Sequence, residues 1–94
     1  MQEADVEALL NGMVEELASI EHDRWAHWQR YLHSKSARQP DGSLILPAEL
    51  VSRWEAQIAT PYADLSETEK QSDREQVNRY LPLILSKIRT LCSD

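Results

Sequence analysis

Glu21 and Arg24, and further along Lys70 and Arg74, are charged side chains at positions where helical spacing calls for apolar ones. Between Asp5 and His33 the residues Val6, Leu10, Met13, Leu17, Ile20, Trp28, Tyr31 and Leu32 fall within one broad arc at about 100° per residue. Glu21 and Arg24 lie near the middle of that arc, flanked by Leu17, Trp25 and Trp28. A charge withdrawn from water costs several kcal/mol unless it is paired or hydrogen-bonded. Two arrangements satisfy that requirement. Glu21 bridges Lys70 or Arg74 and fixes how the first and third helices cross. Alternatively, Arg24, Lys70 and Arg74 converge as donors for an anion beside aromatic walls. Both hold together if Glu21 orients an arginine that also contacts ligand.

Around this cluster the aromatic residues divide by position. Most of Trp25, Trp28, Trp54, Tyr31, Tyr62 and Tyr80 read as core. Trp25 sits at the edge of the arc near His22 and Gln29, so one ring face is expected to stay open for stacking on a planar ligand. His22 projects outside the arc, three residues before that tryptophan.

Catalytic and metal chemistry find little support. His22, His27 and His33 are five and six residues apart, so they do not stack on one helical face as metal ligands would. Cys92 lies near the end of the sequence, a poor place for a thiol nucleophile, and no serine neighbours a histidine in a nucleophile elbow. With only Gly12 and Gly42 present there is no glycine-rich phosphate loop. The expectation is a binding protein without metal or cofactor, not an enzyme.

Bulk composition narrows the partners. The chain has 94 residues, 41% hydrophobic and 28% charged, the size of one small domain that buries roughly 60–65% of its unfolded surface. Self-association would help so small a core. A net charge of −6 argues against duplex nucleic acid or an anionic membrane as the main partner, while leaving room for a small anion on a local basic cluster. No apolar run is long enough to span a bilayer, and the acidic start lacks the features of a signal peptide. The single cysteine excludes an internal disulfide and fits a reducing, cytoplasmic setting.

The elements that must position these residues read as almost wholly helical, a small all-α bundle of three to four helices spanning residues 1–94. A first helix runs from about Asp5 to His33, with Gly12 as a weak point. Ser34–Ser43 is a loop turning at Pro40-Asp41-Gly42, and Leu44-Ile45-Leu46 is too short to argue a sheet. Pro47 opens a second helix with Leu50, Val51, Trp54 and Ile58 on one face, ending before Pro61. Ser66-Glu67-Thr68-Glu69 is a capping box for a third helix to about Leu81, where Pro82 ends or kinks it before a helical continuation through Leu91. One stripe threads both parts: Lys70, Arg74, Val77, Leu81, Ile84, Ile88, Leu91. Its C-terminal portion reads as a packing seam for the first helix or a second subunit, and predicts a homo-oligomer, a dimer or higher. Lys70 and Arg74 lie at a helix N-terminus that favours anions. A compensating negative group is therefore expected: Glu69, Asp73, Glu21 or a bound phosphate.

Two segments resemble a known family. Glu21-His22-Asp23-Arg24-Trp25 and Pro61-Tyr62-Ala63-Asp64-Leu65-Ser66-Glu67-Thr68-Glu69-Lys70-Gln71-Ser72-Asp73-Arg74 are similar to the E-H-x-x-W and P-Y-x-x-L-x-x-x-E-K-x-x-D-R patterns of the ryanodine receptor repeat (RyR) domain. The resemblance covers about Glu16 to Leu85. The Gly-Trp and Tyr-Gly pairs that the family commonly carries after its first helix are absent from Tyr31–Ser43. The resemblance implies a RyR-domain-like helical fold and binding of a nucleotide-derived small molecule by His22, Arg24, Trp25, Tyr62, Lys70, Asp73 and Arg74, with Glu21 and Trp28 in support. It further implies a single-domain version from a bacterium or phage, in the latter case working in the host cytoplasm as an anti-defence sponge for a signalling nucleotide. The competing expectation is a protein-interaction or dimerisation module whose charged clusters are structural bridges.

Overall fold

The computed structural model describes residues 2–92. The chain is predominantly helical: α1 (Glu3–Asn11), α2 (Val14–Ser34), α3 (Ala48–Ala59), α4 (Glu67–Val77) and α5 (Leu81–Cys92), with a 3₁₀ turn at Tyr62–Asp64 and a minute hairpin of β1 (Ala37–Arg38) and β2 (Leu44–Ile45). The all-α class expected from the periodicity is what the chain adopts. No helix among the described residues is long and apolar enough to cross a membrane.

The breaks follow from local chemistry. The predicted first helix divides at Gly12. There the Met13 amide turns back to the Leu10 carbonyl at 3.1 Å, a tighter turn than the helix on either side. Pro47, extended at φ −60°, caps α3 with its carbonyl, which accepts from the amides of Leu50 and Val51. The third and fourth segments separate at residues 78–80, one turn before Pro82 rather than at it. A proline removes the amide owed to the carbonyl four residues earlier and its ring crowds that carbonyl, here Asn78. The helix therefore fails a turn upstream, and Pro82 sits in the first turn of α5, where no intrahelical donor is needed.

Two compact units divide the packing. One is formed by the two ends of the chain, up to Arg24 and from Ser72; the other is Trp25–Gln71. In the first, α5 runs antiparallel to α2. Lys87 Nζ meets Glu16 Oε1 at 3.1 Å, while Tyr80 reaches Glu21 one and a half turns further along α2. Met13, 1% exposed, is the buried core residue among the described residues. The Lys70–Leu91 stripe does not stay on one face. Tyr80, just before α5, and Leu83, Ile84, Lys87 and Leu91 within it are half-buried, whereas Leu81, Leu85 and Ile88 are exposed.

In the second unit the hairpin pairs Ala37 with Ile45 and Arg38 with Leu44. The predicted turn closes it. Gly42 adopts φ +91°, a conformation open to glycine, and Asp41 Oδ1 accepts from the Ser43 amide at 3.0 Å and from its hydroxyl at 2.6 Å. On α3, Leu50, Val51, Trp54 and Gln57 are half-buried, whereas Ile58, expected on the packed face, is 84% exposed. Ile58 belongs to the last turn of the helix, just before Pro61 ends it, and no side chain covers it there.

Candidate functional site

The charged anomaly of the sequence resolves differently from either expectation of burial. Glu21 and Arg24 have side chains 50% and 44% exposed. Arg24 Nε donates to Glu21 Oε1 at 3.0 Å, and its terminal nitrogen joins the same oxygen. The Tyr80 hydroxyl donates to the other carboxylate oxygen. The bridge from Glu21 thus goes to Arg24, one turn along the same helix, and not to Arg74, one of the partners that the sequence suggests. Helical geometry makes this the shortest route, because residues three apart already face each other. The hydrogen bond from Arg24, then that from Tyr80, pulls the Glu21 carboxyl down from 4.5 to about 2, since both stabilise its charged form. Glu21 in turn holds the Tyr80 phenol and the Arg24 guanidinium above their ordinary values.

Tyr80 is the residue that sequence reasoning missed. Its signal was present as the head of the Tyr80, Ile84, Lys87, Leu91 series at spacings of four, three and four. Val14, Leu17, Ala18 and Ile84 extend the Glu21–Tyr80 pair into an open trough of about 540 Å³. His22, Asp73 and Arg74, also in this unit, are exposed. His22 and Arg74 are each engaged in interactions of their own.

The remaining candidates, Trp25, Trp28, Tyr62 and Lys70, lie in the second unit. Trp28 stacks on Tyr31 at 5.6 Å between centroids and 24° between planes, and meets Trp54 edge-on at 5.6 Å. Arg53 and Lys35 both approach Tyr31. Arg53 donates to its hydroxyl at 3.4 Å, and the Lys35 ammonium lies 5.7 Å from its ring. This cluster joins the end of α2 to α3. Trp25 is 55% exposed.

Lys70 is placed by the capping box. The Glu69 amide donates to Ser66 Oγ at 3.2 Å, and Glu69 Oε1 accepts from the Ser66 amide and hydroxyl at 3.3 and 2.7 Å. Hydrogen bonds from Ser66 and then Gln57 lower the Glu69 carboxyl below its usual range, which ties α4 to α3. With its N-terminus fixed in this way, the helix carries Lys70 over the ring of Tyr62, 5.8 Å from the centroid, within the range of a cation–π contact. The anionic companion of Lys70 is Glu67 at 3.8 Å, not Glu69, which the cap consumes. The Lys70 side chain is 19% exposed and the Tyr62 residue 49%.

Among the described residues no group of three or more histidine, cysteine, aspartate or glutamate side chains is placed to hold a metal ion. No family model, curated protein or solved structure matches this chain.

Proposed function

We propose that this chain is a non-enzymatic binding protein, built on a RyR-domain-like helical fold, that captures a nucleotide-derived, second-messenger-like small molecule. The observation that carries the reading is the Lys70 ammonium held over a half-open Tyr62 ring. A nucleotide asks for two things from a protein surface: an aromatic plane for the base and a cation for the phosphate. Tyr62 and Lys70 supply them in contact with each other, and the 3.8 Å separation from the exposed Glu67 carboxylate is long for an ion pair. Trp25 offers a second exposed ring in the same unit. A protein that holds such a ligand without turning it over acts as a sponge, and a phage-encoded sponge would blunt a nucleotide-signalled defence.

The test is a thermal-shift panel of cyclic dinucleotides, ADP-ribose derivatives and mononucleotides. A ligand at a hundred times its Kd stabilises the folded state by about 2.7 kcal/mol, a shift of several degrees in so small a protein. A folded protein that responds to no member of the panel removes the reading.

One observation favours a second reading, a protein-interaction module. Glu21 neutralises Arg24 within α2, so this part of the charged cluster has the character of an internal bridge. Replacing Lys70 separates the two readings. Capture predicts a folded Lys70→Ala protein that no longer responds to ligand, whereas the module predicts no ligand response in either protein.

A further inference from the structure

We infer that the ligand captured at Lys70 and Tyr62 carries its phosphate as a diester, with one negative charge, and that a nucleotide ending in a phosphate monoester binds less well. The inference rests on the capture reading and adds the chemical class of the ligand. It follows from the charge around the ammonium. Between residues 60 and 71 the chain sets Asp64, Glu67 and Glu69 against one cation, Lys70. Asp73 and Arg74, one turn further along α4, add no net charge. Glu67 Oε1 lies 3.8 Å from Lys70 Nζ. Glu69 is fixed, because its carboxylate accepts from the amide and the hydroxyl of Ser66. Those bonds, and one from Gln57, favour its charged form. The cation that acts on Glu69 is Arg53 of α3, whose guanidinium also donates to Tyr31.

A phosphate dianion is commonly held by the amides at the start of a helix. At the start of α4 the Glu69 amide is bonded to Ser66 Oγ, and the Glu69 carboxylate folds back onto the Ser66 amide. A carboxylate of the chain therefore already sits where such an anion would bind. What the site offers a ligand is the Lys70 ammonium, half-buried and shared with the Tyr62 ring 5.8 Å away. One positive charge balances one negative charge. A diester brings that one charge, whereas a terminal monoester brings about −1.5 to −2 at pH 7. The excess would face Glu67 and Glu69, and like charges a few ångströms apart repel even in water. The exposed part of the Tyr62 ring serves the base of either ligand, so charge and not stacking distinguishes them.

Isothermal titration calorimetry of the full chain with matched ligand pairs tests this: cyclic AMP against 5′-AMP, and cyclic di-AMP against its linear 5′-phosphorylated form. Members of a pair share their bases and differ by the opening of one phosphodiester. In whichever pair binds, the cyclic diester should be tighter by about five- to tenfold at pH 7.5. Lowering the pH to 5 protonates the monoester, whose second pKa is about 6, and should close most of that gap while changing the diester far less. Glu67→Gln should narrow the gap at pH 7.5 by strengthening the monoester more than the diester. A monoester bound as tightly as its diester at pH 7.5 overturns the inference and leaves ligand capture standing. A gap that neither the pH nor Glu67→Gln alters overturns it equally. A folded protein silent to all four ligands removes the capture reading, and this inference with it.

Discussion

At the residue scale, the Glu21 carboxylate is held by hydrogen bonds from Arg24 and Tyr80. Its folded value of about 2 lies below the 4.5 of the free side chain. Its contribution to stability is therefore complete above about pH 4.5 and is lost as the pH falls through the folded value. The melting temperature should drop over that window, and Glu21→Gln should flatten the part of the drop that this carboxyl contributes. Tyr80→Phe removes one donor, so the Glu21 carboxyl, followed by NMR titration, should move upward toward the ordinary carboxylate range. A midpoint unchanged by that substitution would show that the Tyr80 contact does not stabilise the charge. Met13→Ala should cost about 2–5 kcal/mol in denaturant unfolding, because it empties a site with no solvent access. Glu21 and Arg24 were legible as anomalies, but their exposure was not. The helical arc that encloses them assumes one partner along all of α2. Leu17 and Ile20 instead serve the first unit and Tyr31 and Leu32 the second, so no single surface has to cover the positions between them.

Elements were readable wherever one or two residues decide the backbone. Gly12, the Pro40–Gly42 turn, Pro47 and the Ser66–Glu69 box each act through local sterics or a hydrogen bond within four residues, and each marks an observed boundary. Ser66→Ala should cost about 1 kcal/mol in chemical denaturation, the usual loss for an N-cap, and should loosen the placement of Lys70. A stability equal to wild type would mean that the cap is not formed in solution. The hairpin was beyond reach because two residue pairs leave no alternation to detect. The division of α5 was hidden for another reason. Leu81, Ile84, Ile88 and Leu91 form a plausible single stripe on paper, and only the positions of Tyr80 and Lys87 against α2 show that Ile84 and Leu91 turn inward while Leu81 and Ile88 do not.

The whole molecule is a small helical chain whose two units carry different chemistry. The first combines a neutralised Glu21–Arg24–Tyr80 group with open apolar surface; the second combines aromatic planes with the Lys70 cation. Ligand capture, if it depends on that cation, should weaken as salt is raised, because a charge contact near the surface is screened. The most direct measurement is isothermal titration calorimetry of a responsive nucleotide from the panel into wild-type protein and Lys70→Ala, with circular dichroism to verify folding. The account predicts saturable one-site heat for wild type and none for the variant at matched helicity. Equal binding by both proteins would contradict the assignment of Lys70 to the phosphate.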